Sequence, residues 1–203
     1  MKKRLDIQGF PKSTLSLKKL IDMSQLPFFK KSIKERAKPV GKPKYYGYKF
    51  TYHYDPVSNK IILFVNLYFI IKGAKHKDKR NTYLVVIKFP YYKKIKNFRR
   101  LYDIPVQVFA SDPSFKFYFA YVLHNLYGAV VLDEPEFVKH LGIALTRAPK
   151  VRNPDLIAQL TKHLYKIVTF LATQSPKKYL TPAYQIPSSK RITIDKDGNV
   201  VAL

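Results

Sequence analysis

The chain of 203 residues carries 38 Lys and Arg against 13 Asp and Glu, a formal net charge of +25. A hydrophobic content of 46% supplies a core and excludes a disordered chain. The absence of Cys excludes disulfides and thiolate metal sites.

The length fits one domain. Sixteen Tyr and 14 Phe make the expected core aromatic. The charge is uneven: residues 1–100 hold 26 Lys and Arg against 5 acids, a net of +21, and the remainder nets +4. Such a surplus repels itself unless a polyanion or an acidic surface lies nearby, which points to nucleic acid or an acidic protein. MKKRLDIQGF is basic but has no apolar run behind it, so no signal peptide is expected. The apolar run from Ile61 to Ile71 is interrupted by Asn66 and too short to span a bilayer, so no membrane partner is expected.

Residues 1–43 read as a basic N-terminal arm with a short helix. Ser13 to Met23 is the helical piece, capped by Ser13 and striped by Leu15, Leu17, Leu20 and Ile21. Lys30, Lys31, Lys34 and Arg36 follow on a short amphipathic stretch that Pro39 and Pro43 end. Residues 44–174 read as an α+β core. Tyr45–Asp55, Lys60–Lys72 and Asn81–Pro90 are strands joined by short polar loops, which makes an antiparallel meander. The middle strand is apolar on both faces and belongs at the centre of the sheet.

Tyr91 to Asp103 interleaves Lys93, Lys94, Lys96, Arg99 and Arg100 with aromatic residues. Cations neutralise phosphates and aromatic rings stack on bases. The bland alternative packs Ile95, Phe98 and Leu101 inward beneath a solvated basic face. Pro105–Ser111 is the fourth strand, and an aromatic helix runs from Phe115 to Leu126. Asp133 and Glu136 form a capping-box pattern with Pro135 in the first turn. Glu136 and His140 stand one helical turn apart, but two ligands do not make a metal site. Arg147, Lys150 and Arg152 lie in a basic loop. Asn153 and Pro154 open a helix striped by Leu156, Ile157, Leu160, Leu164, Ile167, Val168 and Leu171. Residues 175–203 read as an extended C-terminal tail that ends in a hairpin about Asp197-Gly198.

No phosphate-cradling glycine loop, nucleophile elbow or paired-histidine zinc motif is present in the sequence. Most acids fall at caps, turns or loops, so no catalytic residues and no enzyme activity are expected. A metal site would need pairs such as Ala110 with Asp112 and Thr161 with His163. Ala110 has no donor and Thr161 is a poor one, so no metal and no cofactor are expected.

The run V-x-V-x-A-S-D-P-S-F-K-F-x-F-A-Y at Val106 to Tyr121, with K-V-R-N-P at Lys150 to Pro154 and T-K-H-L at Thr161 to Leu164, resembles a group of virion structural proteins of tailed bacteriophages. In that group the pattern reads C-S-C-P-x-F, then R-N-P and C-K-H, similar to a SWIM-type zinc finger. Here Ala110, Asp112 and Thr161 stand at the cysteine positions, so of the metal ligands only His163 carries over. The resemblance implies a virion location, a multi-subunit assembly, other virion proteins as partners and DNA nearby. The expected contact set is Lys30, Lys31, Lys34, Arg36, Lys93, Lys94, Lys96, Arg99, Arg100, Arg147, Lys150 and Arg152. A free sequence-independent nucleic-acid-binding protein and a nuclease-like enzyme are the alternatives.

Overall fold

The computed structural model describes residues 15–25, 31–55, 59–74, 81–91, 96–150 and 153–202. Four strands form an antiparallel sheet in chain order: β1 (Pro43–Asp55), β2 (Lys60–Lys72), β3 (Thr82–Pro90) and β4 (Gln107–Ala110). β-Branched and aromatic residues dominate β2 and β3, and their central segments are fully buried. The fold is α+β, with most helices in the C-terminal half. Ala129–Val131 extends the sheet beyond β4 through a parallel bridge between Val108 and Val130.

Register sorts the core into two faces. On one face Val65, Leu67, Phe69, Ile87 and Phe89 meet the helical layer of α1 (Leu17–Met23), α2 (Ile33–Ala37), α5 (Lys162–Leu171) and α6 (Pro176–Tyr179). Phe89 packs edge-on against Phe98, and Tyr45 against Tyr179. On the other face Phe109 stacks on Phe137 of α4 (Pro135–Leu141), with ring centroids 4.2 Å apart. The short helix α3 (Ala120–Asn125) precedes α4.

Leu15, Leu17, Leu20 and Ile33 are buried in this core, so the described part of the first 43 residues is packed. α1 is capped by Ser16, whose hydroxyl accepts from the Lys19 amide; Ser13, the expected cap, lies outside the described residues. α2 carries a full capping box between Ser32 and Glu35. The tail also packs. Ile186 donates its amide to the Tyr48 carbonyl, and the hairpin of β5 (Thr193–Ile194) and β6 (Val200–Ala202) bridges Tyr83 through Asn199.

One expected helix is shorter than its apolar stripe. Asn153 does not open it. Its side chain instead closes a loop, accepting from the Ile157 amide and donating to the Tyr118 and Ile157 carbonyls. Leu156 then takes φ of 51°, a left-handed conformation that stops helix propagation. The helix begins only at Lys162, with Thr161 as its cap, accepting from the Leu164 amide at 3.2 Å. Ala158 and Leu160 are still buried, so burial drew the stripe and helical geometry did not.

Candidate functional site

Two buried polar constellations and one basic surface hold the chemistry. The first constellation joins the two resemblance motifs. β4 ends at Ala110, and the chain turns at Ser111-Asp112-Pro113 into a helical stretch that is a π-helix over Phe115–Phe119. Asp112 is buried; Oδ1 accepts from the Phe115 amide at 3.1 Å, and Oδ2 lies 3.2 Å from His163 Nδ1 in α5. The Tyr83 ring covers His163 at 4.9 Å. Ser111 Oγ donates to the Gly198 carbonyl and accepts from the Leu84 amide, which ties the C-terminal hairpin to the same turn. Gly198 has φ of 84°, and a Cβ there would run into the Ser111 carbonyl. His140 abuts this turn, and burial together with the nearby Lys116 charge lowers its pKa.

These positions do not fit zinc. Of the four, Asp112 and His163 carry donors, and the imidazole Nδ1 already faces the carboxylate. Thr161 is engaged as a helix cap. Among the described residues no group of three or more His, Cys, Asp or Glu is placed to hold a metal ion.

The second constellation is a polar rung across the opposite face of the sheet. Register sets Lys49, Asn66, Lys88 and Gln107 side by side on β1, β2, β3 and β4. All four are at most 8% exposed. A buried ammonium demands a partner, because its desolvation costs several kcal/mol. The loop before α4 supplies two. Asp133 accepts from Lys88 at 2.8 Å and from Asn66 Nδ2 at 2.7 Å. Glu134 accepts from Lys49 at 2.5 Å and from the Tyr68 hydroxyl at 3.3 Å. Burial pushes the Tyr68 phenol far above its ordinary pKa, so it stays a donor.

The expected capping box of Asp133 and Glu136 is therefore not formed. α4 begins at Pro135 with Glu134 in the N-cap position and no side-chain cap. Two buried lysines offer charge-assisted bonds stronger than neutral backbone amides, and they take both carboxylates. The sequence carried one signal for this rung: Lys88 interrupts the apolar and aromatic run of β3, whereas β1 has other polar residues beside Lys49.

Beside the rung lies a cleft of about 450 Å³. Thr51, His53, Phe64, Lys88, Gln107 and His124 line it, with Asp133 at one wall.

The basic surface is the third feature. Lys31, Lys34, Lys96, Arg99, Arg100, Arg147 and Lys150 are exposed, and Arg36 is half-buried. Lys30, Lys93, Lys94 and Arg152 lie outside the described residues. Lys34 and Arg36 ride on α2, which packs on α5. Arg99 and Arg100 sit in the 3-10 turn Phe98–Tyr102, whose Tyr102 hydroxyl donates to the Val168 carbonyl of α5. The structure thus gathers these four about one helix. Arg147 and Lys150 belong to a separate stretch beyond the 3-10 turn Gly142–Leu145, which packs on α3. None of the seven exposed cations forms a salt bridge among the described residues.

No family model, no curated protein and no solved structure matches this chain.

Proposed function

We propose that the chain is a non-enzymatic structural component of a tailed-phage virion whose basic surface meets packaged DNA or acidic neighbouring subunits. The observation that carries the reading is the convergence of Asp112 and His163 at 3.2 Å. The resemblance assigns positions 112 and 163 to one shared centre, and they do meet although the motifs lie far apart in the chain. A close carboxylate–imidazole contact, a capped helix turn and the Tyr83 ring supply there what a metal supplies in the pattern it resembles.

Charge disposition supports the choice of partner. Asp112, Asp133, Glu134, Glu35 and Asp195 are engaged by ion pairs, caps or turns of the chain itself. The exposed cations are left to attract external anions. Contacts of this kind neutralise phosphates without reading sequence.

A salt series on duplex DNA tests the partner. The logarithm of the binding constant should fall with the logarithm of salt by about 0.9 per phosphate neutralised. A flat response overturns the electrostatic contact. A free nucleic-acid-binding protein would share that salt dependence, and only its absence from purified particles separates it from a virion component. Divalent-dependent cleavage of plasmid by the purified chain overturns the non-enzymatic part.

A further inference from the structure

We infer that the outer edge of β1 is a strand-addition site for an extended, acidic segment of another protein. Backbone direction is the first ground. The Tyr48 carbonyl accepts from the Ile186 amide, which lies on the side of β1 away from β2. In an antiparallel strand the N–H and C=O of one residue point the same way, and every second residue repeats the direction. No register shift interrupts β1 after Gly47. Phe50, Tyr52 and Tyr54 therefore direct their amides and carbonyls outward as well. Among the described residues no partner takes those groups.

Side chains distinguish this edge from an ordinary solvated one. β3 pairs with β2 only from Phe64 onward, so the β1–β2 ribbon projects beyond the sheet. On one face of the ribbon Tyr52 lies opposite Leu63 and Tyr54 opposite Ile61. Tyr52 is 78% exposed, Tyr54 52% and Ile61 70%. On the other face Thr51 and His53 form the β1 wall of the 450 Å³ cleft. A strand added here would lay alternate side chains on the tyrosine ladder and into the cleft. Strand addition gains affinity from main-chain bonds and specificity from such alternating pockets. Open edges of this length are hazards that a protein covers or uses. The chain's own Gln185–Ile186 already covers the adjoining part.

Charge selects the occupant. A second copy would bring its own +25 to the interface. Lys88 and Asp133 already pair within the cleft, so the sign comes from the surplus of cations over the whole chain. That surplus favours an acidic partner strand. The partner's charge follows from the chain's own surplus of cations and strand addition from the edge, so the proposal goes beyond the virion reading without resting on it.

The test is backbone amide exchange by NMR on the full chain, with a short capped peptide alternating Val and Glu as the probe. The expected result is slowed exchange at Phe50, Tyr52 and Tyr54, with binding about tenfold weaker when Lys replaces Glu in the peptide. Tyr52→Pro removes one outward donor and should abolish the protection. Tyr52→Thr keeps the donor and checks that the ribbon still forms. Equal binding of the Lys peptide, or exchange unchanged by either peptide, overturns the proposal. So does prior protection of these amides in the peptide-free chain: if it depends on concentration the occupant is a second copy, and if it does not the occupant is another segment of the same chain. Shifts at the same amides on adding oligothymidylate would assign the edge to nucleic acid instead. A flat salt response on duplex DNA leaves this outcome untouched, so the two failures are separable.

Discussion

Lys49 and Lys88 lie in the sheet; Lys34 and Arg99 lie on the helical layer. All are cations, yet the first two are at most 8% exposed and each grips a carboxylate, while the latter two face solvent. The contrast shows what the few acids are for. With 13 acids among 203 residues, committing Asp133 and Glu134 to the two buried lysines leaves little to offset the exposed cations. The buried lysines serve the fold, and the exposed ones are available to a partner.

Breaking the buried pairs should give the largest effect. Asp133→Ala leaves Lys88 buried without its carboxylate and Asn66 without its acceptor. It should cost about 3–5 kcal/mol in denaturant unfolding. Replacing both partners, Lys88→Met with Asp133→Leu, should recover most of that loss. If the single and double variants lose equally, the pair is not the unit that matters.

The junction of the two motifs comes next. Asp112→Ala removes the cap on the Phe115 amide and leaves buried His163 facing no carboxylate, a loss of about 2–3 kcal/mol. Thr161→Ala removes only the α5 cap and should cost about 1 kcal/mol. A loss at Thr161 equal to that at Asp112 would show that the junction acts through helix capping alone.

His140 gives a smaller and pH-dependent effect. Its pKa is lowered in the folded chain, so the unfolded chain takes up the proton first as pH falls through the ordinary value of 6.5. Stability should therefore decline as pH drops below that value, and His140→Leu should flatten the decline. An unchanged pH profile in the variant would place the effect elsewhere.

The exposed cations should matter least to the fold. Arg99→Ala with Arg100→Ala should change stability by no more than about 0.5 kcal/mol. The same change should lower the salt slope of DNA binding by about 1 for each phosphate that is no longer neutralised. A large stability loss would erase the contrast between buried and exposed cations.

The strands were legible because β2 and β3 are long, apolar and rich in β-formers, and the observed Lys60–Lys72 coincides with its expected bounds. The helix at Asn153 was not legible. Leu156, Ile157 and Leu160 follow a helical stripe, but the Asn153 side chain and the left-handed Leu156 override it. Asp133 misled for a related reason. Acid-Pro-Glu is capping chemistry read locally, and the lysines that claim the carboxylates come from strands 45 and 85 residues away in sequence. The open edge of β1 depends on which strand ends the sheet, and no local pattern in the sequence states that.

We propose that this chain is a building unit of a phage particle, and quantitative mass spectrometry of purified phage particles tests that reading most directly. The expected result is a fixed whole number of copies per particle that survives washing at low ionic strength. Absence of the chain from intact, infectious particles would contradict it.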